Sequence, residues 1–123
     1  MAFWITLVRG LLAVSLGVAL VFQPDKARPI LVNFMGSDWC VWCQKLDEEV
    51  FTKPAFKKWA AENAVLLLLD FPKKTKQPAA LKEQNEGLLR KYGVQGFPTI
   101  LFLDGAGNVV GKTGYVKGGP AAW

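Results

Sequence analysis

The feature that most constrains the fold is a pair of cysteines at the end of an apolar run. Cys40 and Cys43 are the only two cysteines among the 123 residues. The run before them, residues 30–35, is nearly all apolar, which is typical of a strand covered on both faces. A disulfide across two intervening residues closes too small a loop to add much stability. The pair therefore indicates chemistry rather than a structural staple.

The order of apolar and amphipathic segments predicts an α/β domain with one sheet. Strands are expected at residues 30–35, 65–69, 99–103 and 109–113, the last two as an antiparallel hairpin. Helices are expected at 40–50, 54–62 and 79–92. This order places the cysteines at the carboxyl end of a strand and the amino end of a helix. Reaction sites in open α/β sheets lie at such ends.

Two local expectations concern side chains near these helices. Gly36, Ser37 and Asp38 break the first strand, and their oxygens are predicted to cap the following helix. Phe56, Trp59 and Ala60 share one helical face and are predicted to be core residues without a functional role.

Composition excludes several classes of function. The net charge is +5, and the scattered basic residues are interpreted as a solvated surface, with a patch for an acidic partner as the alternative. No basic run is interleaved with aromatic residues, so nucleic-acid binding is not predicted. Histidine is absent, which removes the usual general base and the commonest nitrogen ligand for zinc. We therefore predict no metal and no cofactor. A copper(I) site on the two thiolates, with Met35 as an extra ligand, remains the alternative.

The first 22 residues form a separate segment, and residues 23–123 form the domain. Residues 2–22, from Ala2 to Phe22, are almost wholly apolar, with Arg9 as the only charge. They are interpreted as an export signal or a membrane anchor. A helix belonging to the domain itself is the alternative.

The spacing of the cysteines predicts different roles for the two thiols. At a helix start, free N–H groups and the helix dipole stabilise a thiolate. Cys40, expected to lie further out, is predicted to be the nucleophile. Cys43, one turn inside and more covered, is predicted to resolve the mixed disulfide.

Pro98 is the second candidate for the site. The run Gly96-Phe97-Pro98-Thr99 begins a strand, where a cis peptide bond would be a deliberate feature. Such a bond would lay the backbone of Phe97 beside the cysteines, with an edge able to pair with an extended substrate. A proline at the first position of a strand is also permitted without any function.

Taken together, these motifs resemble the thioredoxin superfamily. They are Trp-Cys-x-x-Cys after an apolar strand, the run Lys-Tyr-Gly-Val-x-Gly-Phe-Pro-Thr and a closing Asp-Gly-x-Gly hairpin. The string Gly-Ser-Asp-Trp-Cys-x-Trp-Cys is similar to that of bacterial exported thioredoxin-like proteins. The resemblance implies a three-layer fold, a central mixed sheet flanked by helices. It also implies a thiol–disulfide oxidoreductase with Cys40 as nucleophile, Cys43 as resolver and Pro98 as the cis-proline.

The chain departs from the thioredoxin pattern at several positions. Asn33 stands where thioredoxins carry a buried acid, and Leu66 where they carry a lysine. The loop after Asp70 is longer. The family's C-terminal helix is expected to be missing or truncated, since the chain stops at Trp123.

The predicted function is reduction or isomerisation of protein disulfides, with Trp39, Val41, Trp42, Phe97 and Pro98 contacting the substrate. The predicted partners are disulfide-containing proteins and a thiol electron donor. The predicted location is the periplasm or another extracytoplasmic compartment, with the first segment as an alternative membrane anchor. A non-catalytic binding module with the same fold, or a copper-handling protein, is the alternative function.

Overall fold

The computed structural model describes residues 28–123 throughout and, before them, the backbone of residues 5–8, 11–14 and 19–20. The strands are β1 (Ile5–Val8), β2 (Leu11–Val14), β3 (Ala19–Leu20), β4 (Ile30–Met35), β5 (Val65–Asp70), β6 (Thr99–Leu103) and β7 (Val109–Thr113). The helices are α1 (Val41–Leu46), which continues as a π-helical turn (Asp47–Phe51), α2 (Pro54–Asn63) and α3 (Ala79–Lys91).

The strands form one mixed sheet in the order β3-β2-β1-β5-β4-β6-β7. β4 is parallel to β5 and antiparallel to β6, and β6 and β7 form the predicted hairpin. The register pairs Met35 with Asp70 and Phe34 with Thr99, so the end of β4 lies between the end of β5 and the start of β6. The loops that follow β4 and β5 and the loop before β6 therefore meet at one edge of the sheet.

Both faces of β4 are covered, which explains its nearly uniform apolar sequence. One face packs against α1, the π turn and α2; its buried residues are Leu31, Leu46, Val50, Phe51, Phe56, Ala60, Ala64, Leu66 and Ile100. The other face packs against α3 and the segments around it; its buried residues are Val32, Phe34, Leu69, Leu101 and Leu103. This arrangement confirms the α/β class and the three-layer thioredoxin-like fold.

The helix after the cysteines differs from the uninterrupted helix that we predicted. The backbone N–H of Thr52 donates to the carbonyl of Asp47, which closes a π-helical turn. The wider turn lets two adjacent residues, Val50 and Phe51, both reach the core.

The prediction that Phe56, Trp59 and Ala60 of α2 are all core residues is wrong for Trp59. Phe56 and Ala60 are each 3% exposed, whereas Trp59 is 41% exposed. Its ring packs over that of Phe56, with the centroids 6.0 Å apart, at the margin of the buried face. Helical spacing predicts correctly that Trp59 points to the same side of α2 as Phe56, but it does not predict how far the buried core extends.

The part of the first segment that the structure describes consists of strands, where the sequence left a helix as one alternative. β1 pairs in parallel with Leu67 and Leu68 of β5, and so satisfies backbone groups along that edge of the sheet. Among the described residues no helix is long and apolar enough to cross a membrane. The role of residues 1–22 as a signal or an anchor stays a prediction.

Within the residues that the structure describes, β7 is followed by turns and not by a further helix. The indole of Trp123 packs edge-on against Phe51 and Phe56, and its Nε1–H donates to the carbonyl of Gly114 at 2.8 Å. Trp123 therefore adds to the core on the α1 and α2 face of the sheet.

Candidate active site

The two cysteines form a disulfide at the amino end of α1, with their Cα atoms 5.2 Å apart. Cys40 is the N-cap residue, with an extended backbone, and its carbonyl accepts from the backbone N–H of Gln44 at 3.1 Å. The backbone N–H of Cys43 donates to Sγ of Cys40 at 3.2 Å. A thiolate formed at Cys40 on reduction would therefore have a hydrogen-bond donor in place, and a bond to a charged acceptor is stronger than one to a neutral acceptor.

Both cysteines are largely covered. Cys40 is 5% exposed and Cys43 is 3% exposed, so the difference lies in the predicted direction but is small. The hydrogen bond from the Cys43 backbone distinguishes the two sulfurs more clearly than their exposure does.

The Phe97–Pro98 peptide bond is cis. Pro98 directly precedes β6, whose first residue, Thr99, pairs with Phe34 near the end of β4. Pro98 therefore lies at the end of the sheet where residues 36–40, here called the cysteine loop, leave β4. The ring of Phe97 meets the indole of Trp39 edge-on, with centroids 5.5 Å apart. The structure thus brings the Phe97-Pro98 segment to the residue next to Cys40.

Ser37 and Asp38 do not cap α1 as predicted, because Cys40 itself occupies the N-cap. The backbone N–H and the hydroxyl of Ser37 donate to the Asp70 carboxylate at 2.9 and 2.6 Å. The Asp38 carboxylate accepts from three consecutive backbone N–H groups, those of Lys73, Lys74 and Thr75, at 2.9 to 3.0 Å. These two residues tie the cysteine loop to the loop after β5.

Trp39 completes this connection. Its Nε1–H donates to the carbonyl of Phe71 at 2.7 Å, and the ammonium of Lys73 lies 3.8 Å from the centroid of its ring. The indole also lies against Gly36, where an added Cβ would stand 2.3 Å from the ring. We refer to Ser37, Asp38 and Trp39 with their partners in residues 70–75 as the loop clamp.

The loop clamp has one electrostatic signature. The backbone N–H of Lys73, followed by those of Lys74 and Thr75, stabilises the charged carboxylate and lowers the pKa of Asp38 below its ordinary value of 3.8. Sequence reasoning missed the loop clamp. The available signal was the β4–β5 pairing, which places Asp70 beside the residues that follow Met35.

Val41 and Trp42, the residues between the cysteines, face solvent. They are 62% and 53% exposed, and together they form adjacent apolar surface next to Cys40. The Trp42 ring packs obliquely on Tyr115 at 5.1 Å between centroids. The Tyr115 hydroxyl donates to the Glu49 carboxylate, and this bond raises the pKa of Tyr115 above its ordinary value.

Asn33 is buried in the middle of β4, at 4% exposure. Its Oδ1 atom has no hydrogen-bond partner among the residues that the structure describes. Leu66, at 6% exposure, belongs to the core on the α1 and α2 face. Neither side chain can accept a proton at neutral pH.

Over the same described residues, no cluster of three or more His, Cys, Asp or Glu side chains could hold a metal ion. Met35, the extra ligand of the copper alternative, is the last residue of β4 and is half-buried. The two sulfurs are bonded to each other as a disulfide. Such a pair can accept two electrons and give them up again by thiol–disulfide exchange.

Comparison with known proteins agrees with the fold and the cysteine pair. Residues 17–120 match the family described as a thioredoxin-like domain. The chain is 35% identical over 109 residues to the disulfide bond reductase DsbH of Chlamydia pneumoniae, covering 89% of this chain and 66% of that protein. It is 32% identical over 83 residues to the thiol:disulfide interchange protein DsbD of Escherichia coli K12, covering 68% of this chain and 13% of that protein.

A solved structure of a DsbH oxidoreductase superposes with a TM-score of 0.74 at 36% identity, covering 78% of this chain and 67% of that one. The chain thus spans about two thirds of the DsbH protein it matches and a small part of DsbD. The family match, over residues 17–120, covers most of the chain and includes the cysteine pair. The chain belongs to the thioredoxin-like family.

Proposed function

We propose that this chain is a thiol–disulfide oxidoreductase that reduces or isomerises disulfides in proteins through Cys40 and Cys43. The observation that carries the proposal is the disulfide at the start of α1, with the backbone N–H of Cys43 directed at Sγ of Cys40. The relative named a disulfide bond reductase supports the same chemistry.

The reduced form acts in two exchange steps. The Cys40 thiolate attacks one sulfur of a substrate disulfide, and a mixed disulfide forms while the other substrate sulfur leaves as a thiolate. The Cys43 thiolate then attacks Sγ of Cys40, releases the second substrate sulfur and restores the Cys40–Cys43 disulfide. Two electrons pass to the substrate, whose thiolates take up two protons. A thiol donor reduces the Cys40–Cys43 disulfide for the next cycle.

The surface around the disulfide supplies the proposed substrate contacts. Val41 and Trp42 present apolar surface beside Cys40, and the edge of the Phe97-Pro98 segment can pair with an extended chain. Trp39 contributes through its ring, which supports Phe97, because its N–H is already bonded to the Phe71 carbonyl.

Deprotonation of Cys43 differs from the thioredoxin scheme. With Asn33 in place of a buried acid, the chain offers no carboxylate at that position to take the proton. We propose that Cys43 loses its proton to solvent or to the departing substrate thiolate. The rate of the resolving step should then depend more strongly on the pKa of the substrate thiol than it does in a protein with a buried acid.

The proposed compartment is the periplasm or another extracytoplasmic space. The apolar segment at residues 1–22 favours export or anchoring, and oxidising compartments supply protein disulfides as substrates. The proposed partners are disulfide-containing proteins and a thiol donor.

The experiment is dithiol-driven reduction of insulin by the wild type and two serine variants. Cys40→Ser should lower the rate to the uncatalysed background, because the proposed nucleophile is removed and the remaining thiol, Cys43, is only 3% exposed. Cys43→Ser should turn over more slowly. When it is reduced first and mixed with insulin after the dithiol is removed, it should accumulate a covalent mixed disulfide through Cys40. Unchanged turnover in Cys40→Ser would refute the proposal. Near-stoichiometric copper in protein purified under reducing conditions would favour the copper alternative instead.

A further inference from the structure

A groove of about 330 Å³ lies between the loop after β5 and the start of α3. Its floor and walls include Phe71, Gln77 and three lysines, Lys73, Lys76 and Lys82. Lys74, exposed on the same loop between the lining residues Lys73 and Thr75, adds positive charge to the loop. Glu86 is the one acid among the groove residues, so positive charge predominates there.

The loop that carries these lysines is fixed by its backbone. Three consecutive N–H groups of the loop are bonded to the Asp38 carboxylate, and the carbonyl of Phe71 accepts from Trp39. The Gln77 and Asn85 side chains both donate to the carbonyl of Asp70, which fixes the other end of the loop. The ammonium groups therefore extend from a positioned backbone, which lowers the ordering cost of binding.

The residues that hold this loop also connect it to the segment that carries the reacting sulfur. Asp38 and Trp39, which hold the loop, immediately precede Cys40 in the chain. The Lys73 ammonium sits over the Trp39 ring, whose edge contacts Phe97 beside the cis-proline. The loop that lines the groove is therefore connected to Cys40 through Asp38 and Trp39.

We infer that the groove binds an acidic segment of the protein substrate, next to the disulfide that Cys40 attacks. The inference rests on the proposed function and adds the substrate class. Carboxylate side chains would pair with the ammonium groups of Lys74, Lys76 and Lys82, and Lys73 would keep its contact with Trp39. A polypeptide is favoured over an anionic membrane because the proposed reaction brings a polypeptide to Cys40, which follows the residues that hold the groove loop.

The experiment compares two disulfide-bridged peptides that differ only in flanking residues, three Asp or Glu in one and Ser or Gln in the other. Their kcat/KM values are measured with a dithiol donor at about 0.01 M and about 1 M salt, where the Debye lengths are about 30 and 3 Å. The wild type should prefer the acidic peptide by about 5- to 10-fold at low salt, the sum of a few exposed ion pairs. High salt should remove the preference.

The variant Lys74→Gln/Lys76→Gln/Lys82→Gln should lose the preference at low salt. The matched control Lys53→Gln/Lys58→Gln/Lys112→Gln removes the same charge from exposed positions before α2, on α2 and on β7, and should retain it. Circular dichroism spectra and thermal midpoints of both variants verify that each is folded.

Several results would overturn the inference. They are equal kcat/KM values for the two peptides in the wild type, and equal loss of the preference in both triple variants. A third is a groove variant that keeps the preference but loses binding to phosphatidylglycerol vesicles, which would make the groove a membrane contact. If neither peptide is reduced faster than by the dithiol alone, the proposed function itself fails, so the two failures are distinguishable.

Discussion

Trp39 and Trp42 lie three residues apart on either side of Cys40, and the molecule uses them in opposite ways. Trp39 has its N–H bonded to the Phe71 carbonyl, its edge against Phe97 and a lysine above its ring. Trp42 is 53% exposed and rests on Tyr115. One indole holds two loops together, while the other faces solvent, where we propose that it contacts the substrate.

If Trp42 contacts the substrate as proposed, one short motif combines structural support with substrate recognition. The residues before Cys40 point toward β5 and its loop, because the β4–β5 register brings those segments together. The residues after Cys40 start α1, whose first two side chains, Val41 and Trp42, face solvent. Mutations on the two sides should therefore separate stability from substrate binding.

The largest expected effect comes from replacing each tryptophan by alanine. Trp39→Ala should lower the free energy of unfolding by about 2–4 kcal/mol, since it removes a packed ring and a hydrogen bond. Trp42→Ala should change it by less than about 1 kcal/mol. For a protein substrate, Trp42→Ala should lower kcat/KM about tenfold, as expected for an exposed tryptophan at an interface.

Chemical denaturation and insulin-reduction kinetics measure the two effects. If Trp42→Ala destabilised the fold as much as Trp39→Ala, the division between support and recognition would be wrong.

A second prediction tests the support side alone. In Gly36→Ala the new Cβ would stand 2.3 Å from Cε2 and 2.4 Å from Nε1 of Trp39. The indole must move, and we expect a loss of about 1–3 kcal/mol in the free energy of unfolding, with a shift in tryptophan fluorescence.

Gly87→Ala is the matched control, because an added Cβ there meets nothing within 4 Å and the residue lies inside α3. It should stabilise the protein by up to about 1 kcal/mol. Equal destabilisation by both alanines would show that Trp39 is not packed against Gly36.

A third, smaller effect concerns Asp38. Its pKa is lowered, so its carboxylate stabilises the fold above the unfolded-state value near 3.8, and this contribution is lost as the pH falls through the folded-state pKa. Asp38→Asn should speed hydrogen exchange of the Lys73, Lys74 and Thr75 amides at neutral pH. In the wild type, protonation of Asp38 below about pH 4 should speed exchange of these amides, and Asp38→Asn should lack this additional pH dependence. Exchange rates identical to those of the wild type would mean that the carboxylate does not hold the loop.

The sequence was sufficient for the strands and helices of residues 30–113, apart from the π-helical turn, and for the position of the cysteine pair. Residues 30–35, 99–103 and 109–113 are strands with the predicted limits, because apolar runs bounded by Gly and Pro leave little choice. The position of Cys40 at a helix start followed from the same pattern.

The loop clamp could not be predicted, because it depends on which loops meet in space. Ser37 and Asp38 were expected to cap α1, and only the pairing of Met35 with Asp70 brings the second loop within their reach. The exposure of Trp59 was missed for a related reason, since helical periodicity does not tell where the sheet beneath a helix ends.

The reduction potential of the Cys40–Cys43 pair tests the account most directly, because it decides whether the protein donates electrons to protein disulfides. No histidine is available to stabilise the Cys40 thiolate beyond the backbone donor at the helix start. We therefore predict a value of about −200 to −270 mV in equilibrium with glutathione, in the range of glutaredoxins and thioredoxin. A value near −120 mV, typical of a strong oxidant, would contradict a reductase.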